Sequence, residues 1–500
     1  MITMICRTQR VRWLMLATCA LLGGCGDGGG GNIGTGGTPS PTPIPSPTPS
    51  PSPSPTPSTN INFTVSGLRP GQQLTLANGA DQAQVTANGA FSFAKPVAVG
   101  SAYSITIVAG PSVDSCTLDN AAGTVAVAVN VTVACGPTAI HNFSMQDGRP
   151  DVSPGTAGTV SPQIVVASDG NIYGTAETGG GLGKGTIFRM TPTGDFAVLH
   201  NFTGNVTDGS YPKGPLIEGP GGYLYGTTAL GGANGSGTLF KITRSGDFTL
   251  LYSFGDRINP TGPLVQDGGH FYGTVANAIF DYQESTGRLS LIYSLSPGEH
   301  RFFESPLTLA GNGDLLTVTT SDFTTTGLRT TDARLIRVTP RGVVSVVHSF
   351  SLQEGYSFSG NLLLDNDGNI YGVASGSEQP TSRAGDIFKV SSSGVFSILH
   401  QFAGTEGAYP VGLTWGTDGS MYGATNTGLL QSNVRGTIFR ITKEGVFTYL
   451  YTFDGGAAGA YPGSALVLGR SAVPLSDPLD IFYGTTDRGG TNNLGTIFKY

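Results

Sequence analysis

From Thr138 to Tyr500 three short apolar patterns recur in a fixed order. The first is Tyr-Gly-Thr or a close variant, at Tyr173, Tyr225, Tyr272, Leu316 (degenerate), Tyr371, Tyr422 and Tyr483, spaced 44 to 61 residues apart. The second, Gly-Thr-Ile-Phe-Lys/Arg, starts at Gly185, Gly237, Gly385, Gly436 and Gly495, with weaker copies ending at Phe280 and Arg337. The third starts at Phe196, Phe248, Leu289, Val344, Phe396 and Phe447. Its copy Phe248–Phe254 puts Phe248, Leu250, Tyr252 and Phe254 on one face at period two, the signature of a strand. A short apolar segment such as Pro215-Leu216-Ile217 precedes each first pattern, which predicts four strands per repeat. Asp169-Gly170, Asp367-Gly368 and Asp418-Gly419 supply turns between strands one and two.

Repeats of this length with four strands and no 3.6-residue period predict propeller blades rather than a helical solenoid. The seventh copy stops before its fourth strand, and Ala139-Ile140-His141-Asn142-Phe143 matches the end of the missing one. The expectation is all-β: a seven-bladed β-propeller over residues 137–500, its last blade completed by an amino-terminal strand that leaves no exposed sheet edge.

Residues 60–136 alternate apolar and polar positions in shorter runs, among them Phe63/Val65, Leu74/Leu76, Tyr103/Ile105/Ile107 and Val125 through Val133. Asn78-Gly79 and Asn88-Gly89 read as hairpin turns. This stretch predicts a small Ig-like or transthyretin-like sandwich ahead of the propeller.

The first 59 residues read as an address and a tether. Arg7, Arg10 and Arg12 precede an apolar run from Trp13 to Leu22, too short to span a bilayer, so residues 1–24 have the form of a secretory signal. Leu22-Gly23-Gly24-Cys25 resembles the bacterial lipobox, which implies an acylated Cys25, a membrane anchor and, with Gly26 following, the outer membrane. Residues 25–59 are Gly-rich and then Ser/Thr-Pro-rich, with proline at every odd position from Pro39 to Pro57. Such a tract favours extended polyproline II and serves as a spacer.

Composition agrees with this layout. Only 12% of residues are charged and 77 of the 500 are glycine, which suits many strands and turns and argues against a helical enzyme. A net charge of −7 and a pI near 5.4 give no footprint for nucleic acid. With Cys6 and Cys19 in the signal and Cys25 acylated, Cys116 and Cys135 remain as an even pair and are expected to form a disulfide in an exported protein.

The stretches Leu224–Lys241 and Phe482–Lys499 resemble the GloVer tandem-repeat family of secreted or anchored bacterial surface proteins. That resemblance implies a repeat fold and brings no reaction with it. No local catalytic motif stands out, no cofactor or metal site is expected, and the protein is read as a monomer. His141, His200, His348 and His400 share a repeat position with Tyr252, Tyr293 and Tyr451, and so read as strand residues. Asp365-Asn366-Asp367-Gly368-Asn369 reads as a hairpin turn, since a calcium loop would need an acidic residue where Gly376 stands.

The candidate ligand-binding residues lie in loops expected at one end of the blades: Tyr211, Tyr356, Tyr409 and Tyr461, with Arg383, Arg435 and Arg488. The leading reading is a non-catalytic binding or scaffold protein for a glycan or protein ligand. One alternative is an exported polysaccharide lyase or glycoside hydrolase using Glu177, Glu378 or Asp487, and a second is a purely structural envelope protein.

Overall fold

Within each repeat the Tyr-Gly-Thr element pairs antiparallel with the Gly-Thr-Ile-Phe element, and the register sets glycine against phenylalanine. Gly174 faces Phe188, Gly226 faces Phe240, Gly372 faces Phe388, Gly423 faces Phe439 and Gly484 faces Phe498. A Cβ at Gly174 would stand 2.3 Å from Phe188 Cζ, far inside carbon–carbon contact distance. The aromatic ring therefore requires the glycine. In the degenerate fourth repeat Thr317 faces Ile336, so the glycine and the ring are lost together.

The computed structural model describes residues 56–500 except 112–113, 127, 149–162, 256–258, 297–300, 322–332, 352–353, 356, 359, 375–383, 403–405, 428–433 and 470–479. Among these residues the repeats form seven antiparallel sheets in chain order, and no α-helix occurs. The first sheet comprises Gln163–Val166, Ile172–Ala176, Thr186–Met190 and Phe196–Asn201, hydrogen-bonded in that order. The fourth has a first strand split into Arg301–Phe303 and Thr308–Leu309, followed by Leu315–Ser321, Ala333–Val338 and Val344–Phe350. The fifth begins at Leu363–Leu364, the sixth at Ala408–Trp415 and the seventh at Ala460–Pro462. In the seventh, Thr138–Asn142 takes the outermost place beside Thr496–Lys499, with Ala139 opposite Phe498 and His141 opposite Ile497. The segment around Ile140 thus takes the place in the seventh sheet that the fourth strand takes in the others.

Second and third strands are buried on both faces, whereas fourth strands are half exposed and form outer edges. Apolar clusters join consecutive sheets. Tyr173, Ile187, Leu216 and Phe240 join the first to the second, and Ile438, Leu466, Phe482 and Phe498 join the sixth to the seventh. Phe143, Ile164, Phe188, Tyr483 and Ile497 then join the seventh back to the first. Each large side chain buried in these seams contributes roughly 1.5–3 kcal/mol.

Ahead of the repeats two four-stranded sheets share one core. One has the order Gly89–Ser92, Ile61–Ser66, Val129–Gly136, Ser115–Asp119; the other has Asp81–Val85, Leu74–Asn78, Ala102–Ala109, Ala122–Thr124. Ile61, Phe63, Leu76, Ile105 and Val131 meet between them. Cys116 and Cys135 face each other on neighbouring strands and form the disulfide.

Two sequence expectations change here. Asn78-Gly79 makes its hairpin, but Asn88-Gly89 does not: Gly89–Ser92 pairs with Ile61–Ser66 in the other sheet. The Asn88 side chain instead bonds the backbone of Leu68, accepting from its N–H at 2.8 Å and donating to its carbonyl at 3.0 Å. The alternating run from Val125 to Val133 is likewise not one strand, because pairing in this sheet starts at Val129.

Candidate functional site

Tyr211, Tyr409 and Tyr461 occupy equivalent joints between sheets. Each has a left-handed backbone, with φ of 57°, 57° and 59°, a conformation that costs a bulky residue on the order of 1 kcal/mol or more. The joint holds it there. Their N–H groups donate to the carbonyls of Lys184, Ala384 and Arg435, each the residue before the glycine that opens the preceding sheet's third strand. The following prolines pack on those glycines: a Cβ at Gly185 or Gly385 would lie 2.6 Å from Pro212 or Pro410 Cδ, and one at Gly436 2.3 Å from Pro462 Cδ.

With backbone and proline engaged, the phenol rings remain at the surface, and Tyr409 is 43% exposed. Lys184 Nζ lies 5.2 Å from the Tyr211 ring centroid, and Arg488 Cζ lies 5.7 Å from that of Tyr461. Arg435 meets Tyr461 through its own carbonyl, which accepts the tyrosine N–H at 2.7 Å. Glu177 is ion-paired with Lys213, and Asp487 is buried. Tyr356, Arg383 and Glu378 lie outside the described residues, as does Cys25.

The four histidines at the shared strand position each face a carboxylate. Nε2 of His141, His200, His348 and His400 stands 3.3, 3.3, 3.4 and 3.1 Å from Asp147, Asp208, Glu354 and Glu406. Each imidazole also stacks on a phenylalanine of the next sheet's outer strand; the His141–Phe196 and His400–Phe447 centroids are 3.8 and 3.7 Å apart. The carboxylates of Asp147, Asp208 and Glu354 accept from the N–H groups of Ser144, Thr203 and Ser351, which organises the loop between sheets. Burial holds the His141, His200 and His400 imidazoles below their ordinary pKa against the pull of those carboxylates. Among the described residues no group of three or more metal-ligating side chains forms.

At the opposite end, where first strands turn into second strands, the repeat tyrosine reaches back to its own turn. Tyr173 donates to Asp169 and Tyr371 to Asp365, both at 2.9 Å. Asp365 also accepts from the N–H groups of Asp367 and Asn369 and from the Asn369 amide, which makes the Asp365–Asn369 segment a closed hairpin turn. Desolvation pushes the Tyr173 hydroxyl up to about 12, with Asp169 adding to the shift. Arg244 bridges two carboxylates here, 3.5 Å from Asp169 and in a short contact with Glu218. Although desolvation works the other way, hydrogen bonds and Arg244 together hold both acids below the ordinary range, so neither is poised as a proton donor. Between the fourth and fifth sheets this end opens into a cavity of about 510 Å³ lined by Asn312, Arg337, Leu364, Asp365 and Asn366.

The profile of the Gloeobacter/Verrucomicrobia repeat matches residues 150–328 and 276–498. The chain belongs to that repeat family. No curated protein matches it significantly. Solved structures similar to this repeat protein include a luciferin-regenerating enzyme, 17% identical, covering 58% of this chain and 90% of its own, with a TM-score of 0.38. The calcium-binding protein regucalcin from Agrobacterium tumefaciens is 15% identical over 58% of this chain and 88% of its own, with a TM-score of 0.38. An oligogalacturonate lyase in complex with manganese is 11% identical over 68% of this chain and 98% of its own, with a TM-score of 0.39. At these identities and TM-scores nothing passes from those proteins to this Gloeobacter/Verrucomicrobia repeat chain.

Three features of the repeat protein escaped the reading of its sequence. The histidine partners carried a signal, an Asp-Gly or Glu-Gly pair shortly after each histidine, at Asp147, Asp208, Glu354 and Glu406. Lys184 carried none, because its ring partner lies on the next sheet. Trp415 carried none either: it is half buried and donates to the Leu364 carbonyl at 3.1 Å, tying the sixth sheet to the fifth.

Proposed function

We propose that this chain is a lipid-anchored envelope protein that acts by binding, not by catalysis. In this reading its seven sheets are the blades of a seven-bladed β-propeller closed by Thr138–Asn142, and residues 60–136 are an Ig-like spacer. The closed cycle of inter-sheet clusters supports the propeller, and the shared core of two sheets supports the sandwich. Acylated Cys25 anchors the chain in the outer membrane, and the proline tract holds the folded part away from the lipid.

One observation carries the binding role. The same strained Tyr-Pro joint recurs at three sheet boundaries and leaves a tyrosine ring at the same end of each sheet, with Lys184 and Arg488 beside two of them. Rigid aromatic rings with polar neighbours suit stacking on a glycan or on the side chains of a protein ligand. Full-length protein in detergent, screened on a glycan array, is expected to retain one ligand class, and Tyr409→Ser to weaken it at least about tenfold. Undiminished binding by Tyr409→Ser, or release of products from a bound polysaccharide, overturns this reading. Replacing Cys25 with Ser is expected to move the protein from the membrane to the soluble fraction.

A further inference from the structure

We propose that the cavity between the fourth and fifth sheets is a second binding site, which takes a neutral sugar residue. It lies at the end of the sheets opposite the tyrosine joints and does not depend on them. At about 510 Å³ it falls in the range of small-molecule sites and holds one or two sugar rings.

Two of the corresponding boundaries carry a side-chain staple. Between the first and second sheets, the Ser168 N–H and hydroxyl donate to the Glu218 carboxylate at 2.7 and 2.5 Å. Between the sixth and seventh, the Thr417 N–H and hydroxyl donate to Asp480, both at 2.7 Å. The fourth repeat has Gly311 where these have Ser168 and Thr417, and the fifth has Leu364 where the second has Glu218. Neither half of the staple is present, and the boundary stays open.

The same degeneracy loosens the hold on an arginine. In the sixth sheet Arg440 donates from Nε and Nη2 to Asp418 at 2.9 and 2.8 Å. In the fourth, Arg337 holds the equivalent place on the third strand, but Asn312 replaces that aspartate. Arg337 Nε lies 4.0 Å from Asp314 and makes no hydrogen bond. The Arg337 guanidinium, the exposed Asn366 amide and the apolar Leu364 side chain thus line one cavity. A pyranose presents that combination in reverse, with hydroxyls along its edge and C–H groups on its face.

Charge selects the neutral class. Arg337 is offset by Asp314, and Asp365 by Lys443 at 3.8 Å, so the cavity carries no net field for an anion.

The test titrates full-length protein in detergent with the methyl glycosides of glucose, galactose, mannose and N-acetylglucosamine, and with glucuronate, read by saturation-transfer NMR and calorimetry. At least one neutral glycoside is expected to bind. The double variant Gly311→Ser/Leu364→Glu rebuilds the staple of the first boundary and is expected to weaken binding at least about tenfold. Asn366→Ala, at an exposed position that cannot unfold the sheet, is expected to weaken it in the same direction. Tyr409→Ser is expected to leave it unchanged, which separates this site from the tyrosine face. Failure of all four glycosides to bind, binding of glucuronate alone, or wild-type affinity in both cavity variants overturns the proposal.

Discussion

Arg69 and Asp114 form a 2.8 Å ion pair whose side chains are only 8% and 0% exposed, at the seam between the small domain and the last sheet. Arg69 also donates to the Asp480 carbonyl at 3.1 Å and lies over the Tyr500 ring, 4.5 Å from its centroid. Burial raises the Asp114 pKa against the pull of Arg69. Removing one partner strands the other charge in the seam, at a cost of about 3–5 kcal/mol. Arg69→Ala is therefore expected to lower the denaturation midpoint sharply, and Arg69→Met/Asp114→Leu to recover most of the loss. A double variant as unstable as the single would show that the pair is not the source of the effect.

The glycine–phenylalanine register gives a second test. Gly174→Thr forces a side chain into the Phe188 ring and is expected to destabilise by about 3 kcal/mol. Adding Phe188→Ile copies the Thr317/Ile336 pair of the fourth sheet and should restore much of the stability. Thermal melts of the two variants decide it; an additive loss would mean that the two positions are independent.

Asp386 replaces the threonine that other third strands carry at this position, such as Thr238 and Thr437. Those threonines pair with Thr228 and Thr425 at 2.7 and 2.8 Å, whereas Asp386 faces Ala374 and its carboxyl oxygens lack hydrogen-bond partners. Burial pushes its pKa up to about 6, against a lowering influence from Gln401. A raised folded-state pKa gives stability that is full below the unfolded value of about 3.9 and is lost as pH rises through about 6. Asp386→Thr with Ala374→Thr is expected to stabilise the protein at neutral pH, by an amount on the order of 3 kcal/mol, and much less near pH 4. Equal gains at both pH values would contradict the assigned ionisation.

The histidines act in the opposite direction. The folded-state pKa values of His141, His200 and His400 are depressed by burial, so their contribution is present above the unfolded value of about 6.5 and is lost as pH falls through the lower folded values. His400→Tyr installs the residue found at Tyr451 and should flatten part of the decline in melting temperature between about pH 7 and pH 5. A decline as steep as that of the wild type would place the titrating group elsewhere.

Sequence alone was enough for the repeat, its four strands and the completing segment at Ile140. Strand periodicity is written into each copy, and the Gly/Phe pair into every copy but the fourth, over a few neighbouring residues, and comparing copies amplifies them. It was also enough for the Cys116–Cys135 pair, by elimination. It misplaced Asn88-Gly89, because that turn signal is local while the strand's partner is Ile61–Ser66 in the other sheet.

What tertiary structure alone decided lies between the sheets: the His141–Phe196 stack, Lys184 over Tyr211, the Arg69–Asp114 seam and the open boundary at Arg337. Backbone alternation is a property of one strand, so any copy displays it. Contacts between sheets depend on how each sheet packs against the next, and no single stretch of chain contains both partners.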